Sequence, residues 1–235
     1  MANIITRNIP NTITCCNLIS GCIAVSYAHA GQQTMALAFI ILGAVFDFFD
    51  GMSARLLGVS SPIGKELDSL ADVVTFGVAP ATMVATLLWG MHYPSQMEGL
   101  RSWLPYSAFL IAAFSALRLA KFNLDERQTT SFIGLPTPAN ALFWGSLIVG
   151  GGVRLERMEY ALPAILALIL LSCWILISEI PMFALKFKQW GWRGNEVKYI
   201  FLLTCIPLLF FLRISAFAVI IAWYVILSGW VNRKA

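Results

Sequence analysis

Four aspartates lie close together in the sequence, within residues 47–72. Asp47 and Asp50 are three residues apart, and Asp68 and Asp72 are four apart. On helices these spacings place each pair on one face, so two successive helices would present their carboxylates to a common cavity. Carboxylates at close range repel one another, and bound divalent cations would remove that repulsion. Oxygen ligands without His or Cys nearby favour Mg²⁺, Mn²⁺ or Ca²⁺ over zinc. The simpler alternative is that the four aspartates cap helix ends or lie in hydrated loops.

The small and polar residues between the two acidic pairs favour the binding of a phosphate or a flat ring. Gly51 and Ala54 would let a ligand approach the backbone of the first helix closely. Arg55 follows them and supplies a cation for a phosphate oxygen. In the turn that comes next, Ser61 offers a hydroxyl and Gly64 permits a tight bend.

The complete pattern resembles the signature of the CDP-alcohol phosphatidyltransferases. It reads D-G-x2-A-R-x8-G-x3-D-x3-D over residues 50–72, and Asp47 stands at the expected position upstream. Because residue types and gaps are both fixed, this similarity is specific, although the motif itself covers a small part of the chain.

The resemblance implies that Asp47, Asp50, Asp68 and Asp72 hold two divalent metal ions, Mg²⁺ or Mn²⁺ with Ca²⁺ as a further candidate, and that Asp72 also acts as general base. It implies a lipid donor, CDP-diacylglycerol, whose tails stay among the membrane lipids. The predicted donor contacts belong to the motif and to the first helix: Asn11, Thr14, Asn17, Gly51, Ala54, Arg55, Ser61 and Gly64. The resemblance also implies a homodimer.

The elements that position these residues are predicted to be transmembrane helices. Of the 235 residues, 59% are hydrophobic and only 12% are charged, which is too few polar residues to cover a soluble fold. Together with the resemblance, this composition predicts an all-α polytopic membrane protein. We expect one domain over residues 1–235, with a six-helix core and about two extra C-terminal helices near residues 198–231. Six to eight spans are expected from apolar runs at about 12–29, 34–56, 68–90, 104–122, 138–153, 160–178, 198–212 and 214–231.

The distribution of charge predicts the orientation in the membrane. The net charge of +4 is small and dispersed, which argues against a nucleic-acid partner. Most of the 16 Lys and Arg residues fall in segments that alternate helices would place on one side. By the positive-inside rule, that side is cytoplasmic, and it holds both termini and the aspartates. We expect the plasma membrane of a prokaryote.

Three further stretches resemble those of the membrane-spanning class of phosphatidylserine synthases: VTFGVAPA (residues 74–81), ALRLAKFN (116–123) and FIGLPTPANA (132–141). Arg118 is a cation within an apolar helix and needs an anionic partner, for which the carboxylate of L-serine is suited. Lys121, Asn123 and Thr137 are predicted to complete the serine pocket. A structural ion pair or a snorkelling side chain is the alternative for Arg118.

Two other functions stay open at this point. The same chemistry with a different acceptor, glycerol 3-phosphate or an inositol phosphate, would call for several basic side chains near the aspartates. A cation transporter would use the carboxylates differently, but transporters tend to show repeats and broken helices in both halves, whereas these acids lie in one place.

Overall fold

A computed structural model of the chain describes residues 4–59, 61–125, 132–158, 160–183, 191–192 and 195–232. Within these ranges the backbone forms nine α-helices and one antiparallel pair of two-residue strands, so the predicted all-α class is confirmed. The helices are α1 (Ile4–His29), α2 (Gln33–Leu57), α3 (Pro62–Asp72), α4 (Ala79–Gly90), α5 (Leu110–Leu124), α6 (Thr137–Arg157), α7 (Ala161–Ile177), α8 (Glu196–Leu212) and α9 (Ala216–Asn232). The strands are β1 (Phe132–Ile133) and β2 (Pro181–Met182).

Short segments of other helix types complete the helical stretches. A π-helix, Val73–Val78, joins α3 to α4 without a break. Turns of 3-10 helix form at Glu98–Leu100, before α5 at Leu104–Phe109, and between α8 and α9 at Arg213–Ser215. Each predicted apolar run therefore coincides with a helical stretch of the structure.

The chain is a multi-pass membrane protein. Five stretches of the described residues are long and apolar enough to cross a membrane: Asn8–His29, Gln33–Leu57, Pro62–Gly90, Leu104–Leu124 and Glu196–Val231. The six to eight membrane spans predicted from the sequence exceed these five stretches for three reasons. Helix α6 is not among the five, α7 has only 17 residues, and α8 and α9 together make one stretch of 36 residues.

The third helical stretch begins earlier than predicted, at Pro62 rather than near residue 68. Ser61 has extended backbone and its hydroxyl accepts a hydrogen bond from the Gly64 amide at 3.0 Å. This is an N-cap, and a proline at the first helical position is compatible with it. As a result Asp68 and Asp72 lie on one regular helix, as their spacing required.

The core of the bundle surrounds α4. This helix packs against α1 and α6, and nearly all of its side chains are buried, which is typical of a helix that is apolar on every side. Trp144 of α6 and Ile40 of α2 are fully buried in the same core. By contrast, Phe210 and Phe211 near the end of α8 are exposed, as expected for side chains that face lipid.

A close approach of α1, α2 and the π-helix sets the position of the acidic residues. A Cβ atom on Gly43 of α2 would lie 2.5 Å from Thr75 Cγ2 and 2.9 Å from Asn17 Oδ1. The Thr75 hydroxyl donates a hydrogen bond to the Asn17 carbonyl oxygen at 3.1 Å. Glycine at position 43 therefore lets three elements meet directly behind the aspartates.

The contact at Gly43 gives a first prediction. The variant Gly43→Ala should lower the free energy of unfolding by about 1–3 kcal/mol, because the added methyl group overpacks this junction. Thermal unfolding in detergent measures the effect. The matched control is Gly151→Ala in α6, where a Cβ atom would have no neighbour within 4 Å. That variant should be neutral or stabilising by about 0.5–1 kcal/mol, since alanine is the better helix former. Equal midpoints for Gly43→Ala and the parent protein would contradict the close approach.

Candidate active site

Three of the four motif aspartates converge in the folded chain. Carboxylate oxygens of Asp47, Asp50 and Asp68 all lie within 4.8 Å of one another. Asp50 is only 6% exposed, and Asp68 Oδ1 is buried with no hydrogen-bond partner among the described residues. None of these carboxylates pairs with a Lys or Arg side chain of the described chain. Three uncompensated carboxylates in a membrane protein are costly, so the cluster favours a bound cation.

The first helix supplies hydrogen bonds to the acidic group. The Thr14 hydroxyl donates a hydrogen bond to Asp50 Oδ2 at 2.7 Å. Asn17, one turn further along α1, donates from Nδ2 to Asp72 Oδ1 at 3.1 Å. Asp72 is 7% exposed and is near enough to interact electrostatically with the other three aspartates. It is not a member of the three-residue group, and its Oδ2 has no hydrogen-bond partner among the residues the structure describes.

The donor set fits a divalent metal of the hard type. Each of the three converging residues offers a carboxylate oxygen, and neither His nor Cys belongs to the group. Mg²⁺ and Mn²⁺ prefer such ligands. The unpartnered Asp68 Oδ1 is the strongest single indication, because a buried carboxylate oxygen without a donor is unfavourable unless a cation binds it.

A cavity of about 210 Å³ adjoins the carboxylates. Six of the eight predicted donor contacts line it: Asn11, Thr14, Gly51, Ala54, Ser61 and Gly64. Asp50, Asp68, Pro10, Val59 and Lys65 complete the lining. Val59 and Lys65 are not among the predicted donor contacts, although both lie inside the motif.

Two of the predicted donor contacts, Asn17 and Arg55, do not line this cavity. Asn17 is fully buried and lies behind Asp72, so its side chain supports a carboxylate instead of lining the cavity. Arg55 is exposed and is not part of the lining. Its Nη1 would lie 3.6 Å from a Cβ atom on Gly51, which places the guanidinium beside the cavity. The roles of Asn17 and Arg55 as donor contacts stay predictions.

A second, larger cavity of about 370 Å³ lies between α5 and the end of α7. Its polar lining consists of Arg118, Lys121, Asp125, Ser178 and Glu179. Arg118 is 7% exposed, and its guanidinium carbon lies 5.1 Å from the centroid of the Phe122 ring. It has no hydrogen bond or ion pair with the described residues, although it interacts electrostatically with Asp72. A buried arginine without an ion pair to a described residue is suited to bind an anionic ligand.

The other two residues predicted for this pocket do not reach it. Asn123 donates from Nδ2 to Ser69 Oγ at 2.8 Å, and its carbonyl oxygen accepts a hydrogen bond from Lys65 Nζ at 2.9 Å. It therefore ties α5 to α3. Thr137 is fully buried at the start of α6 and does not line the cavity. Glu179 was not predicted, because a single acid after an apolar run carries no distinguishing pattern.

The chain is similar in sequence to known proteins that share one name. A CDP-diacylglycerol–serine O-phosphatidyltransferase of Bacillus subtilis is 40% identical over 130 residues, covering 55% of this chain and 69% of that protein. A protein of the same name from Helicobacter pylori is 31% identical over 222 residues, covering 92% and 87%. Another from Methanocaldococcus jannaschii is 34% identical over 162 residues, covering 69% and 68%.

The family model for CDP-alcohol phosphatidyltransferases matches residues 7–183, which contain the whole motif, both cavities and the helices α2–α7. This match extends over well more than half of the chain. The chain belongs to the CDP-alcohol phosphatidyltransferase family.

Proposed function

We propose that this protein transfers the phosphatidyl group of CDP-diacylglycerol to L-serine, giving phosphatidylserine and CMP. The observation that carries the proposal is the cavity beside the converging aspartates, together with a second cavity that contains a buried arginine. Asp50 and Asp68 line the first cavity, and Arg118, which is 7% exposed, lines the second. The three relatives named above act on the same donor and acceptor by their names. Because the chain belongs to a family of enzymes, we no longer retain the alternative function of a cation transporter.

The first cavity is suited to the nucleotide and diphosphate of the donor. Gly51 and Ala54 present backbone with little side chain, which allows close approach. Lys65 lines the cavity and Arg55 lies beside it, so two cations are near a diphosphate bound there. The lipid tails would leave the cavity toward the bilayer.

The carboxylate cluster is suited to hold two divalent ions, Mg²⁺ or Mn²⁺, with Asp47, Asp50 and Asp68 as ligands and Asp72 nearby. Divalent cations there would neutralise charge on the bridging and departing oxygens of the diphosphate. Thr14 orients Asp50 through its hydrogen bond, and in the same way Asn17 orients Asp72.

Asp72 is the candidate general base. Because Asn17 occupies Oδ1, Oδ2 is available to take the proton of the serine hydroxyl. The serine oxygen then forms a bond to the phosphatidyl phosphorus while the bond from phosphorus to the CMP oxygen breaks. Arg118 would bind the serine carboxylate and hold the hydroxyl toward this centre.

The remaining expectations are part of the same proposal. Glycerol 3-phosphate or an inositol phosphate stays as the alternative acceptor. We place the active site and both chain ends on the cytoplasmic side of a prokaryotic plasma membrane, on the basis of the Lys and Arg distribution. We also propose one catalytic domain and a homodimer.

Parallel assays test the acceptor of the proposed reaction. Serine, glycerol 3-phosphate, inositol and inositol phosphate are each supplied with CDP-diacylglycerol, and the release of CMP is measured.

The variant Asp68→Asn tests the metal ligands. An amide cannot replace the charge of a ligand, so kcat/KM should fall by at least about 100-fold, and Mn²⁺ binding measured by electron paramagnetic resonance should weaken. Glu66→Gln, at an exposed position on the same helix, is the matched control and should change neither quantity. Normal turnover in Asp68→Asn would refute the assignment.

The variant Asp72→Asn distinguishes a role of Asp72 as general base from a role as metal ligand only. Asparagine keeps the hydrogen bond with Asn17 but takes no proton, so kcat should fall by about 10²–10⁴-fold. The dissociation constant for CDP-diacylglycerol, measured by calorimetry, should change little. If donor affinity and rate fall by the same factor, Asp72 is a ligand only.

The variant Arg118→Lys tests the acceptor. Lysine keeps the charge but lacks the planar fork that matches a carboxylate. The KM for serine should therefore rise about tenfold or more, with little change in the KM for CDP-diacylglycerol, since the contact is made before and during the reaction. Arg101→Lys is the control, because Arg101 pairs with the exposed Glu98 away from both cavities. Loss of donor binding in Arg118→Lys, with serine KM unchanged, would move Arg118 to the donor site.

A further inference from the structure

The second cavity carries charges of both signs. Arg118 and Lys121 come from α5, whereas Glu179 comes from the segment that follows α7. A pocket that received only a phosphorylated alcohol would gain nothing from a carboxylate, which repels a phosphate. A free amino acid is different, since it carries a carboxylate and an ammonium group a few bonds apart. The mixed lining therefore matches a zwitterion.

The backbone around Glu179 is held in place by β1 and the residue after it. Gly134 has a φ of 72°, and its amide donates to the Ile180 carbonyl oxygen at 3.0 Å. A Cβ atom on Gly134 would lie 2.7 Å from the Leu176 carbonyl oxygen and 3.0 Å from that of Ser178. Glycine thus lets this turn pack directly against the end of α7. Backbone contacts of the residues on both sides of Glu179 hold its backbone at the cavity wall, and its exposed side chain is part of the lining.

The C-terminal helices support the same wall. The Tyr224 hydroxyl of α9 donates to the carbonyl oxygen of Phe183, the residue after β2, at 2.9 Å. The Phe183 ring contacts Tyr224 and Phe201 of α8, with ring centroids 4.8 Å and 5.7 Å apart. β2 is thereby attached to α8 and α9 on one side and to β1 on the other.

We infer that Glu179 binds the α-ammonium group of the amino-acid acceptor whose carboxylate binds Arg118. This inference rests on the proposed function, because it assigns the second cavity to the acceptor of that reaction. Arg118 is the independent sign of a ligand, since it is buried, unpaired with any described residue, and part of the lining. Asp125 also lines the cavity but is already engaged in another interaction. The exposed side chain of Glu179 lines the same cavity as Arg118 and has no ion pair with the described residues.

Three acceptors allow the contributions of the carboxylate and the ammonium group of the ligand to be measured separately. L-Serine has both groups, 3-hydroxypropionate lacks the ammonium group, and ethanolamine lacks the carboxylate. The purified full chain is assayed with CDP-diacylglycerol and Mn²⁺, and both CMP and the lipid product are measured. In Glu179→Gln the KM for serine should rise about ten- to a hundredfold, as expected for loss of a charged hydrogen bond. The kcat/KM for 3-hydroxypropionate should stay the same or improve, so that discrimination between the two acceptors falls.

Matched variants make the result specific. Glu66→Gln is the same chemical change at an exposed site outside the cavity, and it should leave all acceptor constants unchanged. Glu179→Asp keeps the charge on a shorter side chain and should recover part of the preference for serine. Thermal unfolding of each variant verifies that the fold is intact.

The inference fails if serine KM is unchanged in Glu179→Gln, if serine and 3-hydroxypropionate are affected equally, or if Asp125→Asn alone produces the serine-specific loss. Failure of the proposed function has a different signature. In that case the parent protein releases CMP with glycerol 3-phosphate or an inositol phosphate but not with serine, before any variant is made.

Discussion

The repulsion among closely spaced carboxylates is the constraint on which this structure depends. Asp47, Asp50 and Asp68 come within 4.8 Å of one another on helices that cross a membrane. Bound divalent cations would relieve the repulsion within this group, and the surrounding elements have to hold the oxygens in place against it. The first helix does the second task, because its Thr14 and Asn17 each donate a hydrogen bond to one carboxylate. Because Gly43 has no side chain, α1 can approach α2 and the π-helix closely enough to form these hydrogen bonds.

The aspartate cluster could be predicted from the sequence because its geometry is local. Spacings of three and four residues put side chains on one helix face whatever the rest of the chain does, and the capped start of α3 at Ser61 kept Asp68 and Asp72 in one regular helix. Most residues of the first cavity could be grouped from the sequence for the same reason, since they lie within the motif and the neighbouring first helix. The apolar runs gave the helices, although hydropathy alone did not determine how many of them span the membrane.

The second cavity could not be predicted in the same way because tertiary contacts assemble it. Asn123 is on the same helix as Arg118, but its side chain turns to Ser69 and joins α5 to α3. Glu179 is 61 residues from Arg118 in the sequence, and it reaches the cavity only because the turn at Gly134 packs on the end of α7. The roles of Asn17 and Tyr224 were equally inaccessible, since each depends on which helix lies opposite. A residue whose role is to hold another side chain in place is not marked by a spacing pattern in the sequence.

The position of Arg118 is compatible with the proposal that both cavities act in one reaction. A direct ion pair with Asp72 would occupy a carboxylate oxygen of the proposed base, and it would use the guanidinium N–H groups that are proposed to bind the acceptor. The structure avoids this pairing. The guanidinium lies over the Phe122 ring, one helical turn further along α5, and interacts with Asp72 only at longer range. A ring face attracts a cation without taking up its hydrogen-bond donors in the plane. The Phe122 ring therefore stabilises the arginine without using its in-plane N–H donors, and Arg118 forms no ion pair with Asp72.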